Sequence, residues 1–425
     1  MRLIRTWASA GLTAVAAAGL ASATEVTLAP DRMLEIGGKR TFVIGLYEYP
    51  QDDAILDAVA KAGFNLIHAS ASQADLDRLH QRGLFAWINT GDAIDLGKDG
   101  SKSDAPLRDM AAAWGSHPAL LVWEVPDEAL WNCWLSAYAE PLPLLERVDV
   151  FQKRAAEQCA GLVAGYKALK KLDSHHPVWM NHAALNSIED LAAFNNAADI
   201  VGCDEYPVLP YPTPIVDVSR GLLNLVGTCT TRMQIAAPGK PVWMVLQGTG
   251  WTDFDGLFGP KDPSGQRPDL HESRFMAYDV IVRGARGILY WGTHYTPKDS
   301  QLWRDLLRVV SELSALQPVL SAPDAAVVPT TKASAAILPV NEAVHALGKN
   351  VDGRIWWLVV NEYPIPVSCT LSGLDVLDGQ SYTDSASGVQ AVIQNGAMSL
   401  EIPAYGVLVL EPRASGSGPI ARPES

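Results

Sequence analysis

The stretch His117-Pro-Ala-Leu-Leu-Val-Trp-Glu-Val-Pro-Asp-Glu128 decides the fold. It is an apolar run that ends abruptly in acidic residues, with Trp123 inside it and Trp131 just beyond it. A buried parallel strand that delivers carboxylates and indoles at its C-terminal end is typical of a (β/α)8 barrel with a polar site at that end. Asp127 and Glu128 are therefore the first candidates for functional residues.

The same alternation recurs along most of the chain. From about residue 40 to 316, short β-branched or aromatic runs alternate with helical patterns, which predicts βα units and a parallel sheet. Strands are predicted at 41–47, 64–69, 84–89, 119–124, 178–181, 200–204, 242–247 and 287–291. Helices are predicted at 52–62, 73–82, 107–114, 148–171, 188–195, 271–283 and 300–316. Eight successive units without a dinucleotide-binding fingerprint favour an α/β fold closed into a TIM barrel over an open doubly wound sheet.

The two ends of the chain differ from this pattern. Residues 1–23 combine a basic start, an apolar run and the small residues Ala21-Ser22-Ala23, which predicts a signal peptide and a secreted or periplasmic protein. The barrel is assigned to residues 24–320 and a small antiparallel β-sandwich to 321–413, with strands at 335–339, 344–349, 354–361, 367–371 and 407–410. The segment 414–425 is rich in Gly, Ser and Pro and is predicted to be a disordered tail.

Composition narrows the possible partners. The net charge of -14 argues against a nucleic-acid partner, because such binding needs clustered Lys and Arg, and it is compatible with a neutral or a cationic substrate. No segment after the signal has the roughly 20 uninterrupted apolar residues of a membrane span. The sequence lacks Cys-x-x-Cys and His-Glu-x-x-His spacings, so no metal or organic cofactor is expected. Disulfide pairing and the oligomeric state stay open.

The predicted strands deliver many polar and aromatic residues at their C-terminal ends. Flat indole and phenol faces suit the C–H faces of pyranose rings, while amides, His and carboxylates suit hydroxyls, so a carbohydrate cleft is predicted. The catalytic candidates are Asp127, Glu128, Asp204 and Glu205. The substrate-binding candidates are Glu48, Asn89, Trp131, Asn181, His182, Tyr206, Gln247, Trp251, Trp291 and Tyr295.

Four motifs, taken in order, carry a resemblance to a known family. They are Trp123-x-x-x-Asp127-Glu128, Asp204-x-Tyr206-Pro207, Pro241-Val-Trp243 leading to Gln247, and Gly284-x-x-Gly287-Ile-x-Tyr290-Trp291. This series resembles the retaining glycosidase clan with (β/α)8 barrels. The resemblance implies glycoside hydrolase activity, with Glu128 at the position of the general acid/base.

Two positions depart from the clan. It usually has Asn at the position of Asp127 and a nucleophilic Glu at the end of the seventh strand, where this chain has Gln247. An amide cannot form the glycosyl ester that double displacement requires. The ordinary retaining mechanism therefore does not follow from the resemblance.

Three interpretations stay open. In an inverting enzyme, Glu128 is the acid and Asp204 or Glu205 is the base, across a carboxyl separation of roughly 6.5–9.5 Å. In substrate assistance, the sugar's own 2-acetamido group attacks the anomeric carbon; the Asp127-Glu128 pair resembles that of hexosaminidases of this type. The third interpretation is a non-catalytic saccharide-binding barrel. Both catalytic interpretations need a protonated Glu128 near neutral pH, which burial beside Trp123 and the charge of Asp127 would favour.

Overall fold

The computed structural model describes residues 24–210, 223–333 and 343–413. The predicted signal peptide (1–23), the predicted strand at 335–339 and the predicted tail (414–425) lie outside the described residues.

A small antiparallel sheet precedes the barrel and was not predicted. Its strands are β1 (Val26–Leu28), β2 (Leu34–Ile36) and β3 (Lys39–Thr41), in the order β1-β2-β3. Val26 and Leu34 share a buried cluster with barrel residues that begin their own strands, such as Leu66. The small sheet therefore covers the N-terminal end of the barrel.

Eight parallel strands close into a barrel, which confirms the predicted TIM-barrel fold class. In chain order they are β4 (Val43–Leu46), β5 (Leu66–His68), β6 (Phe85–Asn89), β7 (Leu120–Glu124), β8 (Val178–Ala183), β9 (Ile200–Glu205), β10 (Val242–Gln247) and β11 (Gly287–Trp291). Each strand pairs with its sequence neighbours, and β11 closes the ring on β4. We refer to β4 to β11 as the first to eighth barrel strands.

Helices follow the barrel strands. They are α1 (Asp53–Ala62), α2 (Gln73–His80), α3 (Ala105–Trp114), α4 (Ala129–Tyr138), α5 (Leu144–Leu172), α6 (Ile188–Phe194), α7 (Leu225–Ala236), α8 (Leu270–Val282), α9 (Gln301–Ala315) and the short α10 (Gln317–Leu320). The sequence pattern did not predict α4, and it gave no bounds for the helix α7 that follows the sixth strand. Gly63 at the end of α1 has φ 107°, a left-handed conformation that lets the chain turn into the next strand. None of the described helices is long and apolar enough to cross a membrane.

The interior of the barrel is packed with tryptophan. Trp87, Trp179 and Trp243 are fully buried there and contact one another, with ring centroids 5.7 Å apart for the first pair and 5.8 Å for the second. Because strand side chains alternate between the two faces, every second residue joins this interior and the others face the helices. The interior is therefore a solid floor beneath the C-terminal mouth.

Two antiparallel sheets form the C-terminal part, in agreement with the predicted β-sandwich. The strands are β12 (Thr330–Ala333), β13 (Val344–Val351), β14 (Arg354–Asn361), β15 (Val367–Ser372), β16 (Ser381–Asp384), β17 (Gln390–Val392), β18 (Ala397–Ile402) and β19 (Val407–Pro412). One sheet has the order β12-β15-β18 and the other β13-β14-β19-β16-β17. They enclose a core of their own, which includes Trp357 and Tyr382.

The five cysteine thiols at positions 133, 159, 203, 229 and 369 are free in the structure. The Cys203 thiol, on the sixth barrel strand, donates to the Met244 sulfur at 3.9 Å, and the Cys229 thiol on α7 donates to Glu205 at 3.7 Å. The bond from Cys229 to Glu205 links the helix to the preceding strand without a covalent bond.

The barrel and the C-terminal sheets meet along α8 and a buried ion cluster. The Phe275 ring on α8 lies 5.0 Å from the Tyr405 ring in an edge contact. Beside this helix, Asp324 bonds both Arg286 (2.5 Å) and Lys349 (2.8 Å). Lys349 is only 1% exposed, so its ammonium depends on Asp324 for a compensating charge.

Replacing Asp324 with Asn removes that compensation while keeping the side-chain shape. We expect the free energy of unfolding to fall by about 1–2 kcal/mol, because the buried Lys349 ammonium loses its partner while the 37% exposure of Asp324 screens part of the interaction. Urea denaturation followed by tryptophan fluorescence measures the change. Asp352→Asn, in an exposed hairpin turn, is the matched control and should stay within about 0.5 kcal/mol of the wild type. Equal losses in the two variants would contradict a special role for Asp324.

Candidate functional site

The mouth of the barrel is lined by inward-facing side chains at the C-terminal ends of the strands. Because strand side chains alternate between two faces, the second residue after an interior residue also points inward. Asn89 is the second residue after Trp87, and Asn181 is the second residue after Trp179. The inward set at this end is Tyr47, His68, Asn89, Glu124, Asn181, Asp204, Tyr206, Gln247 and Trp291. The alternation of the strands therefore brings together Asn89, Glu124 and Asn181 from the third, fourth and fifth barrel strands. Asp204 adds a carboxyl from the sixth strand.

The loop after the fourth barrel strand adds two more acids at this mouth. Glu128 is the cap residue of α4 and has φ 48° and ψ 37°, a left-handed conformation that costs a non-glycine residue of order 1 kcal/mol. The short turn before α4 places Glu128 beside the sixth barrel strand, where its carboxyl meets Asp204. Strain of this kind is concentrated at functional sites.

Glu128 and Asp204 form a carboxyl pair. Their carboxyls are in hydrogen-bond contact, and the Tyr206 hydroxyl also bonds Asp204. Burial and the charge of Asp127 raise the pKa of both acids, and within the pair the hydrogen bond lowers the pKa of Glu128 while Glu128 raises that of Asp204. The pair therefore holds one proton that a substrate can receive.

Asp127 is the most solvent-accessible acid of the group. It lies in a recess surrounded by protein, and this desolvation raises its pKa, whereas hydrogen bonds from Asn181 and from the backbone of Glu128 oppose the rise. Asn181 Nδ2 donates to Asp127 Oδ1 at 3.0 Å. The buried oxygens Asn181 Oδ1 and Asp204 Oδ1 have no hydrogen-bond partner among the described residues. These acceptors can bind donor groups of a ligand.

Glu124 lies below Asp127 and is 1% exposed. Its Oε2 accepts hydrogen bonds from Trp87 Nε1 (3.1 Å) and Asn89 Nδ2 (2.8 Å), and its Oε1 from the Tyr47 hydroxyl (3.4 Å). Burial and the charge of Asp127 raise the pKa of Glu124 to about 8, although the three donors lower it. A neutral acid therefore forms the floor of the site at neutral pH.

One side of the mouth is aromatic. Tyr206 and Trp291 stack with ring centroids 5.2 Å apart, and Trp251 Nε1 donates to the Tyr206 carbonyl at 3.1 Å. Tyr295, which is 36% exposed, stacks on Phe254 at 4.5 Å. This wall offers flat apolar faces beside the carboxyls, as the sequence predicted for a carbohydrate cleft.

Two predicted site residues face away from the mouth. His182 is fully buried behind its strand, where Nε2 bonds Asn195 Oδ1 at 2.9 Å, and burial lowers its pKa to about 4. Glu205 faces α7 and accepts a bond from the Cys229 thiol at 3.7 Å. Each stands one residue after an inward-facing side chain, so the strand alternation directs it toward the helices. The predictions of a substrate contact for His182 and of a catalytic role for Glu205 are therefore corrected.

Gln247 ends the seventh barrel strand but is not available to a substrate. Its Nε2 donates to the carbonyls of Val208 and Thr249, both at 3.0 Å, and its Oε1 accepts from the Val208 N–H at 2.9 Å. Only 1% of the residue is exposed. The amide joins the loops that follow the sixth and seventh strands, which corrects the prediction that it binds substrate.

Three further sequence expectations concern the rim. Glu48 is held in an ion pair by Lys298 at 2.5 Å, and Trp131 lies half-buried on α4; their roles in binding stay predictions. Trp123 faces outward and donates to Asp173 at 2.8 Å, so it is not the residue that buries Glu128. Burial and the charge of Asp127 raise the pKa of Glu128, whereas its hydrogen bond with Asp204 lowers it.

Glu124 and its donors Tyr47 and Trp87 are the residues that sequence reasoning left out of the site. The two-residue alternation of strand side chains could have identified Glu124, because it lies two residues after the interior residue Val122 and therefore shares its face. Within the described ranges, no group of three or more acids, histidines or cysteines is arranged to hold a metal ion.

Comparisons with known proteins identify relatives in fold. No protein-family model matches the sequence, and no curated protein matches it. A solved structure described as a glycoside hydrolase aligns with a TM-score of 0.57 at 14% identity, over 93% of this chain and 98% of its own.

Two further solved structures align over most of their length. One is a glycoside hydrolase family 5 protein from Bacteroides vulgatus, with a TM-score of 0.57, 14% identity and coverage of 92% of this chain and 94% of its own. The other is AmyP in complex with maltose, with a TM-score of 0.51, 11% identity and coverage of 88% of this chain and 97% of its own. The chain therefore has the fold of barrel glycoside hydrolases, including the C-terminal β-rich part.

Proposed function

We propose that this protein is a glycoside hydrolase that cleaves the glycosidic bond of a 2-acetamido sugar, with Glu128 as the general acid. The observation that carries the proposal is the Glu128–Asp204 carboxyl pair, which retains a proton beside an aromatic wall at the barrel mouth. A general acid must hold its proton near the working pH; for Glu128, burial and the charge of Asp127 favour this, and Asp204 shares the proton of the pair.

The contact between these two carboxyls favours substrate assistance over inversion. An inverting pair needs roughly 6.5–9.5 Å between its carboxyls to admit a water molecule. Glu128 and Asp204 are in hydrogen-bond contact, and Glu205 faces α7. The seventh strand offers the engaged amide of Gln247 in place of a nucleophile. If the substrate supplies the nucleophile, the reaction needs neither the wide carboxyl separation of an inverting pair nor a carboxylate on the seventh strand.

The proposed reaction has two steps. Glu128 donates its proton to the glycosidic oxygen while the acetamido oxygen attacks the anomeric carbon, so the bond to the leaving group breaks as an oxazoline-type ring forms. Asp127, oriented by Asn181, accepts the acetamido N–H and balances the positive charge of the ring. Water then attacks the anomeric carbon while the bond from that carbon to the acetamido oxygen breaks, which opens the ring and restores the acetamido group; the water gives a proton to Glu128, which restores the acid.

Glu128→Gln tests the acid. For an alkyl 2-acetamido-2-deoxyglycoside, whose leaving group needs protonation, we expect kcat to fall by about 10²–10⁴-fold with little change in binding of the reaction product. Steady-state hydrolysis and calorimetric titration give the two quantities. Glu205→Gln is the matched control, since it changes a raised-pKa carboxyl outside the mouth, and it should retain activity. Full activity of the Glu128 variant would remove this residue from the mechanism.

A second test compares substrates and products. We expect kcat/KM for a 2-acetamido glycoside to exceed that for the matching 2-hydroxy glycoside by at least about 10³-fold, because the intramolecular nucleophile is lost in the second. Nuclear magnetic resonance of the first-formed sugar should show a retained anomeric configuration. An inverted product would refute substrate assistance but not hydrolysis. Binding of sugars without turnover of either glycoside would favour the non-catalytic saccharide-binding alternative.

A further inference from the structure

Glu124 is a buried acid that the proposed reaction does not use. It stands on the inward face of the fourth barrel strand, three residues before Asp127, and the Trp87, Asn89 and Tyr47 side chains donate to it. None of the salt bridges among the described residues includes it, and Asp127 is the charged group that acts on it most strongly. The floor of the site thus contains two acids and no compensating cation from these ion pairs.

We propose that Glu124 is a positioning residue, which stays uncharged beneath Asp127 and thereby keeps Asp127 ionised to receive the acetamido N–H of the substrate. The role of Asp127 is that of the proposed function, on which this inference rests. Two carboxylates in one desolvated recess compete for a single negative charge. Asp127 takes that charge because it is solvent-accessible and because Asn181 donates to it, whereas Glu124 is fully enclosed.

The hydrogen bonds indicate which oxygen of Glu124 carries the proton. Oε2 accepts the two shorter bonds, from Asn89 at 2.8 Å and Trp87 at 3.1 Å. Oε1 has the 3.4 Å contact with the Tyr47 hydroxyl, which can accept as well as donate. In the neutral acid we place the proton on Oε1, where the Tyr47 hydroxyl turns to accept it; the same hydroxyl donates to Oε1 when Glu124 is ionised. With the pKa of Glu124 raised to about 8 by burial and Asp127, about nine-tenths of the molecules carry the proton at pH 7.

Apart from the Glu128–Asp204 pair, which is the same in the wild type and in Glu124→Gln, few groups around Glu124 titrate in the same range. Tyr47 on the first barrel strand has a pKa raised far above its normal value by burial, so it stays protonated. His68 on the second contacts the Tyr47 and Trp87 rings, and burial lowers its pKa, so it stays neutral. The third and fifth strands present the neutral Trp87, Asn89, Trp179 and Asn181. Asp127 above and Asp204 on the sixth strand are the acids that act on Tyr47 together with Glu124.

Infrared spectroscopy of the complete protein tests where the proton is, independently of turnover. Ionisation of a buried carboxylic acid removes its carbonyl band, and the wild type should lose such a band around pH 8. Glu124→Gln should lack this transition, since an amide mimics the protonated acid and does not titrate. Glu205→Gln, on the outer face of its strand, should keep it. Persistence of the transition in Glu124→Gln would overturn the inference.

Tyr47→Phe is a second variant, which keeps the test decisive if Glu124→Gln does not fold. The Tyr47 hydroxyl lowers the pKa of Glu124, so its removal should move the infrared transition to higher pH. An unchanged or lowered midpoint in Tyr47→Phe would count against the assigned hydrogen-bond pattern.

Activity tests the positioning role. Ionised Glu124 should disturb Asp127 in the wild type but not in Glu124→Gln, so the ratio of kcat/KM for the variant to that of the wild type should rise about tenfold between pH 7 and pH 9. Both proteins lose activity at high pH when the Glu128–Asp204 pair loses its proton, and the ratio of the two kcat/KM values cancels this shared loss. A ratio that stays flat would overturn the positioning role. If the wild type hydrolyses no glycoside, the proposed function fails, and the infrared titration still decides whether Glu124 is the buried acid.

Discussion

Closure of eight strands forces every second side chain into a confined interior, and the site depends on this alternation. Three indoles, Trp87, Trp179 and Trp243, fill the interior below the mouth. Because they leave no passage for solvent beneath the site, polar groups above them are desolvated from one side only. This asymmetry separates Glu124, which rests on the indoles, from Asp127, which remains accessible.

The same constraint determines how the site manages its charge. The carboxyls of Glu124, Asp127, Glu128 and Asp204 lie at one mouth, and none of the described salt bridges includes them. Ion pairing would reduce the repulsion, as Lys298 does for Glu48 on the rim. Without it, protons must be retained, and raised pKa values follow for all four groups. A site built in this way is prepared for proton donation before a substrate arrives.

The sequence predicted the fold well because its signals are local. Eight apolar runs, helical periodicity and left-handed glycines such as Gly63 each depend on a few neighbouring residues. The helix α4 was missed because Glu128 begins it in a left-handed conformation without a side-chain cap, so the usual start signal is absent. The sheet β1–β3 was missed because its three-residue strands carry little pattern.

The site was predicted in part, and the errors at His182 and Glu205 have one physical cause, whereas Gln247 shares the inward face of Trp243 and is engaged by its own hydrogen bonds. Asp127, Glu128, Asp204 and Asn181 do meet at the mouth, because the ends of parallel strands lie together. Their neighbours His182 and Glu205 carry equally polar side chains, and only the pleat distinguishes the two faces. The composition of the strand ends indicates that a site exists. Whether a residue lies an even number of positions from an interior residue of its strand decides whether its side chain can face that site.

The seventh strand ends in an amide that cannot act as the nucleophile. The amide of Gln247 satisfies an N–H of Val208 and two carbonyls at once, which needs a donor and an acceptor in one side chain. A carboxylate in its place would set an oxygen against the carbonyls of Val208 and Thr249 and would lose two buried hydrogen bonds. The loops around this strand are therefore built on an amide, and the nucleophile of double displacement is incompatible with them. The proposed reaction agrees with this constraint, because it uses the proton of the Glu128–Asp204 pair and a nucleophile that the substrate itself supplies.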